Sequence, residues 1–414
     1  METIGIGLLG LGTVGSGVVK ALEMNNKSIV AKLTAVLGIK RILVRDLDKH
    51  RAVDVAKQLL TTDFQRILDD PEIGIIVDAM GGIEPAREYI LAAIERGKHV
   101  VTANKEVIAK YGREILAAAQ AKGVGVYFEA SVGGGIPIIR PLKHCLQANE
   151  IEEIMGIING TTNYILTKMA TEGRDFAAIL KEAQDKGYAE PDPTNDVEGY
   201  DAAYKLAILT SLAFGTPTGL GDIPFQGISS ITRDDMAWAG TLGYTIKLLA
   251  VAKDHGEGLE ARVAPCLLPR EHPLAKVNDV FNGIYVKGNL VGELLLTGRG
   301  AGDLPTASAV VADIMDIAKV VRNGNSVGDA CTCYRYKPFL PLEKLTASYY
   351  VRVKVSRTDA VIAVNNLLTQ EQIPCEVALK KLQQGRSGTV IYFTGLVSEG
   401  DMEGAAKKLR SLHG

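Results

Sequence analysis

Short apolar runs and amphipathic stretches alternate through the first third of the chain. Residues 4–9 form an apolar run that ends in glycines, and residues 13–23 carry apolar positions at helical spacing. Residues 33–44 are β-rich, and 75–79 is another short apolar run. Between 84 and 96, Ile90, Ala93 and Ile94 share one helical face, with Gly97 as a stop. Residues 99–102 predict a strand, and 106–121 a helix with Val107, Ile108, Tyr111, Ile115 and Leu116 at helical spacing. Residues 124–128 close the series. Apolar strands alternating with amphipathic helices predict a parallel sheet covered on both faces.

A glycine run, Gly133-Gly134-Gly135, follows, and from Ile151 the pattern changes. Strand-like and long helical stretches mix, with helices at 176–186 and 199–214, which predicts an α+β substrate domain. Residues 307–321 predict a helix that returns to the first unit. Two prolines in Lys337-Pro338-Phe339-Leu340-Pro341 mark a linker. Beyond it, 349–355, 361–368, 375–381, 389–396 and 402–412 read as β-α-β-β-α, with no strand after the last helix. The expected division is 1–132, 133–336 and 347–414.

Composition narrows the function classes. The chain has 414 residues, enough for two or three domains. Net charge is -2 with no basic block, which argues against a nucleic-acid partner. No apolar run is long enough to span a bilayer, and the start Met1-Glu2-Thr3 lacks the positive region of a signal peptide. The five cysteines are scattered, and only Cys331 and Cys333 lie close together. Reduced thiols and a cytoplasmic location are expected.

Gly10-Leu11-Gly12-Thr13-Val14-Gly15 is G-x-G-x-x-G between a strand and a helix. Such glycines permit a tight turn and close approach of the backbone to a pyrophosphate, whose charge the helix N-terminus attracts. With the alternation around it, the motif predicts a Rossmann-type doubly wound sheet binding NAD or NADP. Arg45 and Asp46 stand side by side near the end of the second strand. The arginine suits a ribose 2′-phosphate and the acid a free 2′-hydroxyl, so the coenzyme stays open.

A segment dense in acids, prolines and glycines runs from Ala183 to Lys205. Asp201 and Lys205 are one helical turn apart and suit a plain i,i+4 ion pair. They also suit chemistry. Hydride transfer to an aldehyde creates an alkoxide that needs a proton, and a partly desolvated lysine can supply it. A carboxylate one turn away orients the lysine. Glu190 and Asp201 are candidates to receive the ammonium group of an amino-acid substrate.

This segment resembles the homoserine dehydrogenase signature. The likeness extends to Gly7 through Gly15, Val101-Thr102-Ala103-Asn104-Lys105, Glu129 through Pro137, Asn159-Gly160-Thr161-Thr162-Asn163-Tyr164 and Gly300-Ala301-Gly302. The resemblance implies reversible NAD(P)-dependent conversion of L-aspartate 4-semialdehyde to L-homoserine, in the route to threonine, methionine and isoleucine. It implies Lys205 as proton donor and acceptor, Glu190 and Asp201 as homoserine-binding acids, and Lys105 beside nicotinamide and substrate. Gly187 and Gly302 would lie near the cofactor, and Arg45 is a loose match for an NADP-phosphate arginine. The family's monovalent cation, usually sodium, would sit at Glu129, Val132, Gly134 and Ile136; the alternative is a hinge loop with Glu129 satisfied locally. At least a homodimer is implied, with contacts after Gly133 and near 307–321.

The last 65 or so residues resemble an ACT module, a ferredoxin-like unit that binds amino acids, often threonine. The usual turn glycine is absent, since Arg357-Thr358-Asp359-Ala360 has alanine there, and so is the final strand. Two rival readings are a non-catalytic NAD(P) and amino-acid sensor and an aspartate semialdehyde dehydrogenase. The set Lys105, Glu190, Asp201 and Lys205 argues against the first. The second needs a cysteine nucleophile, and no cysteine lies in the catalytic segment.

Overall fold

The computed structural model describes residues 1–322, 335–356, 360–381 and 388–412. Cys331, Cys333 and the turn Arg357-Thr358-Asp359 lie outside the described residues.

Strands β1 (Thr3–Leu9), β2 (Val36–Leu43), β3 (Leu60–Thr61), β4 (Ile73–Asp78), β5 (His99–Thr102) and β6 (Val126–Tyr127) form one parallel sheet. Their order is β3-β2-β1-β4-β5-β6, the doubly wound arrangement in which the succession of strands across the sheet reverses between β1 and β4. Residues 4–9 of β1 are all buried, because helices cover both faces; that is why the strand reads as an unbroken apolar run. The helices are α1 (Thr13–Met24), α2 (Asn26–Leu33), α3 (Gln65–Leu68), α4 (Ala86–Glu95) and α5 (Lys105–Lys122). Of these, α2 and α3, like the short β3, were not anticipated. The helix α2 is short and buries only Ile29 and Leu33, so its period is faint.

A second, antiparallel sheet follows: β7 (Ile151–Ile157), β8 (Tyr244–Asp254), β9 (Leu259–Pro269), β10 (Phe281–Gly288) and β11 (Gly292–Arg299), in the order β11-β10-β7-β8-β9. With it come α6 (Gly160–Glu172), α7 (Phe176–Asp185), α8 (Thr194–Val197), α9 (Tyr200–Phe214) and α10 (Arg233–Thr241). One apolar cluster joins this sheet to the first unit, running from Ile115 and Phe128 to Leu206 and Ile284.

Helix α11 (Asp303–Arg322) returns to the first sheet, burying Val310, Ile314 and Ile317 with Ile6, Leu8 and Val18. It meets α1 at Gly17, where a Cβ would lie 2.3 Å from the Asp303 carbonyl oxygen. The apolar face of 307–321 is thus covered within the chain.

The C-terminal unit contains β12 (Thr346–Ala347), β13 (Tyr350–Val355), α12 (Ala360–Gln370), β14 (Cys375–Lys381), β15 (Gly388–Thr394), β16 (Val397–Ser398) and α13 (Glu399–Ser411). Three antiparallel strands pair as β13-β15-β14. Helices α12 and α13 bury Val361, Leu368 and Met402 against Val355 and Tyr392. The sheet also meets the rest of the chain. Arg352 Nε lies 3.1 Å from the Asp235 carboxylate in α10, and the Phe393 ring lies 5.4 Å from that of Tyr244 in β8.

Candidate active site

The glycine motif opens a cleft of about 1030 Å³ at the switch between β1 and β4. Each glycine has its own physical reason. Gly10 has a φ of +97°, a conformation that penalises a side chain. A Cβ on Gly15 would lie 2.1 Å from the Gly10 carbonyl oxygen, so this glycine lets α1 pack against the turn. A Cβ on Gly12 would meet nothing of the chain within 4 Å; the space it faces belongs to the cleft. Thr13 lines the cleft at the first turn of α1, followed by Val14. The fit to a dinucleotide is that of a bare backbone turn ending in exposed helix N–H groups.

Arg45 and Asp46 line the far end of the cleft, with Lys49, His50 and Arg51 beside them. The Arg51 guanidinium donates to the carbonyls of Asp46 and Lys49, which folds this loop back on itself. Asp303, next to Gly302, lines the cleft too, paired with Lys20 at 2.9 Å.

The second half of the site is assembled by one buried acid. Asp201, in the first turn of α9, accepts Lys205 Nζ on Oδ2 at 2.6 Å and lies 2.8 Å from Lys105 Nζ through Oδ1. Lys205 also donates to the Ile158 carbonyl at 2.8 Å. The Asp201 side chain is 6% exposed and that of Lys205 12%. Burial alone would raise the Asp201 carboxyl, but the two ammonium groups hold it well below the usual carboxylate range. Burial pushes the Lys105 ammonium down, and Asp201 more than offsets that, leaving it above the ordinary lysine value.

Two residues that set this geometry were missed in the sequence. Asp78, at the end of β4, is fully buried; it accepts the Thr102 hydroxyl at 2.8 Å and the Met80 N–H at 3.0 Å. It ties the loops after β4 and β5 together, just ahead of Lys105, and burial pushes it up to about 6. The available signal was an acid ending an otherwise apolar strand. Asn159 donates to Asp196 and to Asp201, at 2.7 and 2.9 Å. No local signal marks that pairing.

Other expected residues are placed differently. Glu190 is exposed, and among the described residues its carboxylate meets no cation. Its loop is tethered to the start of α6, where the Thr161 hydroxyl donates to the Tyr188 carbonyl at 2.8 Å. Gly187 does not line the dinucleotide cleft. It ends α7 with a φ of +72°, so the helix stop accounts for the glycine. Gly302 has a φ of +128° and starts α11 beside the cleft.

The Glu129 carboxylate, expected to hold a cation, is engaged by the chain's own backbone. Its carboxylate accepts the backbone N–H groups of Ile138, Ile139 and Arg140 at 2.6, 2.9 and 2.7 Å. Its own N–H goes to Asp313 at 2.9 Å. A carboxylate facing converging N–H groups caps a chain turn and sits where partial positive charge gathers. Val132 and Ile136 are buried core residues, and Gly134 makes room for the Gly300 carbonyl, which a Cβ there would meet at 2.3 Å.

Comparison with known proteins agrees with this two-part site. The family model "Homoserine dehydrogenase, NAD binding domain" matches residues 10–129, and the model "Homoserine dehydrogenase" matches 137–315. The chain is 41% identical over 416 residues to the Bacillus subtilis homoserine dehydrogenase, covering 100% of this chain and 96% of that protein. It is 48% identical over 369 residues to the Synechocystis enzyme, covering 87% and 85%. A crystal structure of a homoserine dehydrogenase from Thiobacillus denitrificans superposes with a TM-score of 0.93 at 44% identity, covering 100% of this chain and 96% of that one. With a Rossmann-type cofactor cleft on one side and a lysine–aspartate–lysine cluster on the other, the chain belongs to the homoserine dehydrogenase family of NAD(P)-dependent oxidoreductases.

Proposed function

We propose that this chain interconverts L-aspartate 4-semialdehyde and L-homoserine, with Lys205 handling the proton. The observation that carries the reading is Asp201, buried and bonded to both Lys105 and Lys205. When bound, the nicotinamide exchanges a hydride with the substrate carbon. In the reducing direction Lys205 Nζ gives a proton to the developing alkoxide, and in the reverse direction it takes one from the hydroxyl. Lys105 adds a second positive charge near that oxygen, in a site of low dielectric where it counts for more than in water. Asp201 orients both ammonium groups. Glu190, which meets no cation among the described residues, is the acid left to receive the substrate ammonium.

Arg45, Asp46 and Lys49 line the ribose end of the cleft, a mixture of charges that suits NAD or NADP. The sodium implied by the family likeness would rest on the carbonyls of Val132, Gly134 and Ile136, with Glu129 already accepting three N–H groups, and no step is assigned to it. We read residues 1–132 as the cofactor unit, 133–336 as the substrate unit and 347–414 as an ACT-like module. The chain acts in the cytoplasm on small molecules, as at least a homodimer. The exposed Leu295 on the edge strand β11 suits a contact between copies in the region after Gly133. No described helix is long and apolar enough to cross a membrane.

A spectrophotometric assay with homoserine plus NAD or NADP tests the reading. Coenzyme reduction that depends on homoserine is expected. Its absence under both coenzymes would favour the sensor reading. A reaction requiring phosphate and semialdehyde would mark the thioester chemistry of an aspartate semialdehyde dehydrogenase.

A further inference from the structure

Asn159 stands at the N-cap of α6, directly after the residue whose carbonyl holds Lys205. Its Oδ1 accepts the Thr162 N–H at 2.8 Å and the Thr162 hydroxyl at 2.9 Å. The backbone donor decides which way the amide faces, because only its oxygen can accept. Nδ2 is therefore turned toward the acids, and its two hydrogens go to two carboxylates. One is Asp196 Oδ1 at 2.7 Å, and the other is Asp201 Oδ2 at 2.9 Å. That second oxygen is the one that also accepts Lys205.

We infer that Asn159 is a positioning residue for proton transfer: by bridging Asp196 and Asp201 it holds the Asp201–Lys205 pair in its working geometry. The inference rests on the reading that Lys205 handles the proton. Two carboxylates drawn to one nitrogen repel each other, strongly so away from water. The amide places a neutral double donor between them. Without it, Asp201 Oδ2 keeps only Lys205 as a donor, and Asp196 is free to compete for the nearby ammonium groups. Capping α6 does not explain the residue, since a cap uses only the side-chain oxygen, and aspartate or serine serves as well there. The NH₂ group, which a cap leaves idle, is the part that reaches the site.

Asn159→Asp and Asn159→Ser separate the two roles, because both keep a capping oxygen and lose the double donor. Aspartate also adds a third acid to the cluster. Homoserine oxidation is measured across pH, alongside melting temperature and NADPH titration. Both variants are expected to lose kcat by about ten- to a hundredfold, the size of a lost hydrogen bond to a charged group. NADPH affinity should stay near that of the unaltered protein, and both variants should remain folded at the assay temperature, with the melting temperature lowered more in Asn159→Asp. In Asn159→Asp the acid limb of the kcat profile should move to higher pH, since crowded carboxylates hold a proton longer; in Asn159→Ser it should stay. An unchanged kcat and acid limb in Asn159→Asp would overturn the inference. So would a loss of activity in both variants that only tracks the loss of folded protein. If Lys205→Ala kept its turnover, the proton reading itself would fail; if Lys205→Ala collapsed while Asn159→Asp did not, only the role of Asn159 would.

Discussion

Lys105 Nζ lies 2.8 Å from Asp201 Oδ1, and the two residues belong to different sheets' helices. Lys105 opens α5, which follows β5 of the parallel sheet; Asp201 is in the first turn of α9, which packs with the antiparallel sheet. The contact therefore carries the cofactor unit into the substrate unit. Because the shared carboxylate also holds Lys205, the two ammonium groups are placed by one atom group and cannot be moved independently.

Lys205→Ala should collapse turnover by about a hundredfold or more, as for removal of a general acid or base. Asp201 keeps Lys105 and Asn159, so the fold should hold. The dinucleotide cleft does not include Lys205, so coenzyme binding should be intact. Steady-state kinetics with a parallel NADPH titration checks both halves. Turnover near that of the unaltered protein would remove Lys205 from the mechanism.

Glu190→Gln should act on homoserine saturation and leave the coenzyme alone. It removes an unpaired negative charge on an exposed loop while filling the same space. A rise in KM of about ten- to a hundredfold is expected, the worth of a hydrogen bond between charged groups. An unchanged KM would mean the substrate ammonium is received elsewhere.

Gly12→Val should abolish dinucleotide binding in a chain that still folds. The new side chain would meet no protein atom near its Cβ and would fill the space the pyrophosphate needs. Fluorescence titration with NADPH is the measurement, with circular dichroism as the control on folding. Retained binding would reduce the motif to a structural turn.

Asp78→Asn should flatten part of the pH–stability curve. The folded carboxyl is raised to about 6 from an ordinary 3.8, chiefly by burial. Between those values the folded chain holds a proton that the unfolded chain has released. Stability from this group is thus present below about 4, declines as pH rises, and is gone above about 6. A shift of that size corresponds to on the order of 3 kcal/mol. Asparagine stays neutral throughout and can still accept the Met80 N–H. Melting temperatures from pH 4 to 7 should fall with this step in the unaltered protein and lack it in the variant; parallel curves would count against the buried, protonated acid.

Threonine should inhibit weakly or not at all. Ala360 begins α12, where the ACT modules that this unit resembles usually carry a turn glycine. The sheet of the C-terminal unit is engaged with the rest of the chain through Arg352–Asp235, Tyr350–Asp235 and Phe393–Tyr244. Those contacts suit an assembly element. Threonine titration of homoserine oxidation, with and without residues 347–414, checks it. Strong inhibition at physiological threonine, lost on truncation, would restore the regulatory role.

The sequence by itself determined the alternation of strands and helices, the glycine turn and the one-turn spacing of Asp201 and Lys205. Each rests on a local cause: a periodicity, a backbone conformation or neighbours along one helix. The order of the five antiparallel strands, and the covering of 307–321 by α1, had to wait for the tertiary structure. So did the second lysine on Asp201, the Asn159 bridge and the cap that occupies Glu129. Asn159 and Asp201 are 42 residues apart, and Glu129 and Asp313 are 184 apart. Such partners leave no periodic trace, since chain packing alone decides which buried polar groups meet, and each must find one there or bear the cost of lost hydration.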